Sequence, residues 1–92
     1  MITIPEFELL QSNHIGFTCI VVFLTEHPTV LHQEKWLHYQ KQQRINLIQV
    51  LKDQLDICAE GADYSTGLIQ FHSKQDFDQF LSWCALINTD SA

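Results

Sequence analysis

Histidine, cysteine and paired carboxylates are the groups in this chain whose types would allow metal binding or catalysis. A helix that holds a metal through two histidines needs them at i and i+4, one turn apart on one face. His14, His27, His32, His38 and His72 include no such pair. His27 and His32, with Glu26 nearby, straddle an expected helix start and would converge only through the tertiary fold. Cys19, Cys58 and Cys84 are separated by dozens of residues and form no C-x-x-C knuckle. All three lie in apolar patterns, where a thiol behaves as a small hydrophobe. None has the electropositive, accessible setting that a nucleophilic thiolate requires. His72 precedes a helix start, a position that favours neutral imidazole, yet it has no sequence partner for acid–base work. Glu6 with Glu8 would keep a sheet edge soluble, and Asp76 with Asp78 would offset a helix dipole. The expectation is a chain with no catalytic residues, no metal site and no cofactor.

Recognition chemistry is concentrated elsewhere. Trp36, Tyr39 and Arg44 belong to the residue types enriched at interface hot spots, and they fall within one helical segment. Leu37 points about 100° from Trp36 and about 160° from Tyr39, so one face of one helix cannot bury all three. Trp36, Tyr39 and Arg44 are therefore the candidate partner-binding residues.

The elements that would position these groups follow from periodicity and punctuation. Residues 2–10 read as a strand that carries Pro5, which suits an edge or a bulge. Residues 11–14 read as a turn, and residues 15–25 carry the strongest β signal in the chain. Pro28 closes that region and Thr29 is a candidate N-cap. A helical pattern then extends to about Glu60, with Gly61 as the residue that ends it. Leu37, Arg44, Ile48, Leu51 and Leu55 fall on one stripe of this helix, flanked by Leu47 and Cys58. Residues 66–72 read as a third strand, and Ser73 opens a second helix with Asp76 three residues on. Phe77, Phe80, Leu81, Cys84 and Ile87 form its apolar face.

The fold class is thus α+β in the order β-β-α-β-α: a small three-stranded sheet packed by one long and one short helix. Residues 1–88 form a single domain, and 89–92 a polar tail. The second and third strands could be parallel neighbours across the helical connection, or the first strand could lie between them and make every pairing antiparallel. Both helices are expected on one face. Two features exceed what a monomer needs. Both alternating sets of the 15–25 strand are apolar in the middle, so a second sheet face calls for cover. A continuous first helix of about 30 residues would span about 45 Å, longer than a domain of this size is wide.

Bulk properties narrow the function classes. The net charge of −6 disfavours a duplex or membrane-surface binder. An RNA-binding strand with a basic residue before its glycine and alternating aromatics is also absent, since Thr66 precedes Gly67 and only Phe71 is aromatic. No apolar run approaches the length of a membrane span. The first residues, Met-Ile-Thr-Ile-Pro-Glu, lack the basic and apolar regions of a secretory leader, and three unpaired cysteines fit a reducing compartment. The chain reads as a cytoplasmic, non-catalytic protein–protein interaction or regulatory domain. Its expected partner is a second copy, through an apolar sheet face or edge and the first helix, with an unknown protein partner as a further possibility. Residues 56–92 hold six acids against Lys74 alone. The alternative is therefore an acidic inhibitor of the phage or mobile-element accessory type, blocking a basic groove of a nucleic-acid-handling protein.

Overall fold

The computed structural model describes residues 4–24, 33–62 and 65–90. Strands β1 (Phe7–Asn13) and β2 (Thr18–Phe23) form a hairpin. Helix α1 (Gln33–Val50) follows and closes with a π-turn at Leu51–Leu55. Strand β3 (Ala59–Ala62), strand β4 (Ser65–Phe71) and helix α2 (Lys74–Asp90) complete the chain. The expected cap at Thr29, together with Pro28, His27 and His32, lies outside the described residues.

The α+β class holds, but the sheet has four strands in the order β1-β2-β4-β3, and every neighbouring pair is antiparallel. Two expectations are corrected by this. The third strand of the sequence reading is β4, and it lies antiparallel to β2 without β1 between them. The additional strand is β3, which runs parallel to β2 with β4 between the two. The helical pattern of the sequence predicts the end of the long helix in this segment. That helix stops earlier, because Asp56 adopts a left-handed conformation at φ 54°, and the Leu51 carbonyl accepts from both Asp56 and Ile57. Aspartate is one of the few side-chain-bearing residues that visit this region readily. The helix-ending position assigned to Gly61 thus belongs to Asp56. Gly61 is needed for a different reason: a Cβ there would overlap the Arg44 guanidinium.

Both helices cover the same sheet face. One core cluster joins Cys19, Val21 and Phe23 of β2 and Ile69 and Phe71 of β4 to Leu47 on α1 and Phe77, Phe80 and Cys84 on α2. Aromatic rings dominate its β1–α2 half. Phe7 stacks on Phe80 and Trp83 at centroid distances of 6.3 Å. The start of α2 follows the sequence reading. Ser73 Oγ accepts the Asp76 N–H at 3.2 Å, satisfying one of the free donors of the first turn. α2 continues to Asp90.

The buried stripe of α1 has a different phase from the one read from its apolar residues. Gln40, Arg44, Leu47, Val50 and Leu51 are buried, whereas Leu37 is exposed and Ile48 and Leu55 are half-buried. Two polar residues sit at the centre of the stripe because the sheet splits there. β2 and β4 are paired from Thr18↔Gln70 to Ile20↔Leu68. Continuing that register would set Phe23 opposite Ser65, but the strands have parted by then. Gln40 bridges the gap with its side-chain amide, accepting from the Phe23 N–H at 2.8 Å and donating to the Phe23 carbonyl at 2.7 Å. One turn later, Arg44 Nη1 donates to the Ser65 carbonyl at 2.6 Å and to the Ala62 carbonyl at 2.9 Å. Two side chains at i and i+4 thus supply the hydrogen bonds that a continuous ladder would have made.

Candidate interaction surface

With both helices on one side, the alternate residues of each strand form an open face. Glu8, Gln11 and Asn13 of β1 pair with Val22, Ile20 and Thr18 of β2. Ile20 then pairs with Leu68, and Gln70 with Glu60. The centre of this face is apolar, formed by Ile20, Val22 and Leu68, all half-buried. Leu10, 60% exposed, adds to it as the extra residue of a bulge in β1. Leu24, at the end of β2, is 43% exposed. Polar residues frame the patch. A shallow depression of about 140 Å³ lies within it, bounded by Gln11, Asn13, Thr18, Cys19, Ile20 and Leu68.

The two apolar sets of the 15–25 segment therefore have unequal fates. Cys19, Val21 and Phe23 are almost wholly buried, while Ile20 and Val22 lie on the helix-free face. Leu68 and Leu10, which complete the patch, were not among the candidate residues. The signal for Leu68 was present in the alternation of residues 66–71, where Leu68 faces away from Ile69 and Phe71.

The structure separates the three candidate partner-binding residues. Arg44 is 4% exposed and committed to the carbonyls at the β3–β4 connection; among the described residues its Nε has no acceptor. Tyr39 packs against the core, and its hydroxyl donates to the Leu24 carbonyl at 2.7 Å. Trp36 is half-buried one turn before Gln40, beside the exposed Leu37. Among the described contacts, Trp36 is the member of the trio whose side chain makes no hydrogen bond to the backbone.

The groups with catalytic potential are divided between the core and the surface. Burial pushes the Cys19 and Cys84 thiols up to about 12, and each lies in the core. Cys58 is exposed, with Lys52 Nζ at 3.5 Å. His72 Nε2 lies 3.7 Å from Glu60 Oε1, and both side chains are more than half exposed. They border an open depression of about 330 Å³ shared with Gly16, Phe17, Gln70 and Phe71. Among the described residues, no group of three His, Cys, Asp or Glu is placed to hold a metal ion. Among them, too, no helix is long and apolar enough to cross a membrane. The chain matches no family model, no curated protein and no solved structure.

Proposed function

We propose that the chain is a small interaction domain that works by contact rather than by catalysis, and that it pairs with a second copy through the open face of its sheet. The observation that carries this reading is the apolar centre formed by Ile20, Val22 and Leu68 on the two middle strands, on the face opposite both helices. Middle strands of a sheet with one wet face normally alternate apolar with polar residues. Here the outward set is apolar at the centre and polar only at its margin, the layout of an interface core and rim. Four strands about 4.8 Å apart and about 20 Å long give a face of roughly 400 Å². That is below the roughly 800 Å² per partner of a standard interface. The pairing must therefore recruit surface beyond the sheet face, and the exposed Leu24 at the end of β2 supplies apolar area there.

The acids of the chain do not favour the inhibitor alternative. The described ones stand on or just before β1, on the π-turn and its capping residue, on β3, near the starts of both helices and at the end of α2, and Asp56 and Asp78 are each paired to a lysine. Native mass by light scattering tests the proposal. The chain should run near twice 10.7 kDa at both low and high salt. The double substitution Ile20→Lys/Leu68→Lys should return it to monomer with unchanged far-UV circular dichroism. A wild-type monomer at hundreds of micromolar, or a dimer that survives both lysines, overturns it.

A further inference from the structure

A second surface lies at the free edge of the sheet and shares only its carboxylate margin with the open face. β1 is an edge strand of the sheet. The Leu24 N–H donates to the Glu6 carbonyl at 2.9 Å, so Glu6 is bonded toward β2. In an antiparallel ladder the bonding direction alternates. The N–H and C=O groups of Phe7 and Leu9 therefore point away from β2, toward the free edge. Directly below this edge runs a groove between β1 and α2. Its volume is about 590 Å³; Phe7, Leu9, Leu81, Cys84 and Ala85 provide its apolar lining, and Glu8 borders it as well. Toward Pro5 it is followed by a second cavity of about 440 Å³, bordered by Ile87 and by the carboxylate-bearing residues Glu6 and Glu8.

We propose that this groove docks an extended segment of a partner protein in which basic and apolar residues alternate. The pattern follows from the period of a strand. A segment added to the edge would bond to the outward groups of Phe7 and Leu9. Side chains beside Phe7 and Leu9 point toward α2 and enter the apolar groove. The intervening side chains point to the opposite face, beside the exposed carboxylates of Glu6 and Glu8. Lysine or arginine at those positions meets opposite charge. A second copy of β1 is disfavoured as the occupant, because it would bring its own Glu6 and Glu8 to the same seam. Pro5 and the bulge after Leu9 restrict pairing to a short stretch, which protects the edge from unselective strand addition.

The probe is acetyl-Lys-Leu-Lys-Val-Lys-Leu-amide, titrated into the isotopically labelled chain, with a control peptide in which glutamate replaces each lysine. The expected result is saturable binding that slows solvent exchange of the Phe7 and Leu9 amides, with little binding of the control. The double substitution Glu6→Lys/Glu8→Lys, at exposed positions, should weaken binding at least about tenfold. Ala85→Arg, on the exposed side of α2, should block the groove and abolish it. Three results would each overturn the proposal. One is equal affinity for the two peptides. Another is shifts confined to Ile20, Val22 and Leu68. The third is concentration-dependent protection of the Phe7 and Leu9 amides in the chain alone, which would make a second copy the occupant. None of these readouts depends on the mass measurement that tests pairing through the open face.

Discussion

Gln40 is the residue at which the physical reading of the fold is most exposed to refutation. It is 1% exposed on a helix face where an apolar residue would be expected, and its amide makes both bonds that Phe23 would have made to a neighbouring strand. Gln40→Leu keeps similar volume and improves burial but leaves the Phe23 N–H and C=O unpaired in the interior. Each orphaned group costs about 1–3 kcal/mol, and the gain from the leucine recovers part of that, so the net loss should be about 2–4 kcal/mol. A 92-residue domain has in all only about 5–14 kcal/mol of stability. With a urea slope of about 1–1.5 kcal/mol per molar, the midpoint should fall by roughly 1.3–4 M at unchanged slope. Gln40→Glu separates pairing from packing. As a carboxylate, the new group accepts from the Phe23 N–H but repels its carbonyl. As a neutral acid, it can donate to that carbonyl and restore both bonds. Burial and the facing carbonyl raise its folded-state pKa above the unfolded value of about 4.3. The stability regained is then fully present below that value and is lost as pH rises through the folded-state pKa. Urea titrations of the wild type and both variants at pH 4 and pH 7.5 decide the matter. If Gln40→Leu stays within about 0.5 kcal/mol of wild type, or if the Gln40→Glu profile runs parallel to wild type, the bridging role assigned to Gln40 is wrong.

Arg44→Met should cost about 2–4 kcal/mol in the same assay, because it strips the Ala62 and Ser65 carbonyls of their donor. Gly61→Ala should destabilise by about 2 kcal/mol in the wild type, through overlap with the guanidinium, and by less than about 1 kcal/mol in an Arg44→Ala background. The difference is read as a coupling in a double-mutant cycle. Ser73→Ala should cost about 1 kcal/mol through loss of the α2 cap, measured by thermal or urea unfolding. Cys19 and Cys84 titrate near 12 when folded, against an ordinary value of 9.0. A folded-state pKa raised in this way means stability that is fully present below about pH 9 and lost as pH rises toward 12. Thermal midpoints from pH 7.5 to 11 should therefore fall, and Cys19→Ala/Cys84→Ala should flatten the slope. With an aromatic disulfide reagent, Cys58 should react at once, and the two buried thiols only at the rate of unfolding.

The parts of this fold that could be read from sequence are those whose local chemistry agrees with their tertiary role. β2 and α2 with its Ser73 cap are of that kind: β-branched residues cluster in β2, aromatics recur at helical spacing, and a hydroxyl stands where a free N–H needs it, whereas the turn expected at 11–14 lies at 14–17 because β1 runs on to Asn13. β3 was not legible. Ala59-Glu-Gly-Ala has little β propensity and follows a helical run, and it becomes a strand because β4 supplies its partner. The phase of α1 was hidden for the opposite reason. The apolar residues of α1 predict one stripe, while the helix turns Gln40 and Arg44 inward to serve carbonyls and an amide exposed by a split between β2 and β4. No pattern of hydrophobicity encodes that split. The same demand accounts for Arg44, which has the composition of an interface hot spot and spends its donors inside the fold. The surplus apolarity of the 15–25 segment was legible as a two-sided strand, but its consequence depends on where the helices lie. Had α1 and α2 taken opposite faces, Ile20, Val22 and Leu68 would be core. Because Phe7 and Phe80 draw α2 under β1, and Gln40 and Arg44 tie α1 to the split under β2 and β4, both helices are held to one side. The outward apolar residues are then left to whatever meets the sheet from outside. The interactions that fix the helices are thus the same ones that create the open face, and a variant that frees α1 should alter that face before it alters the hairpin.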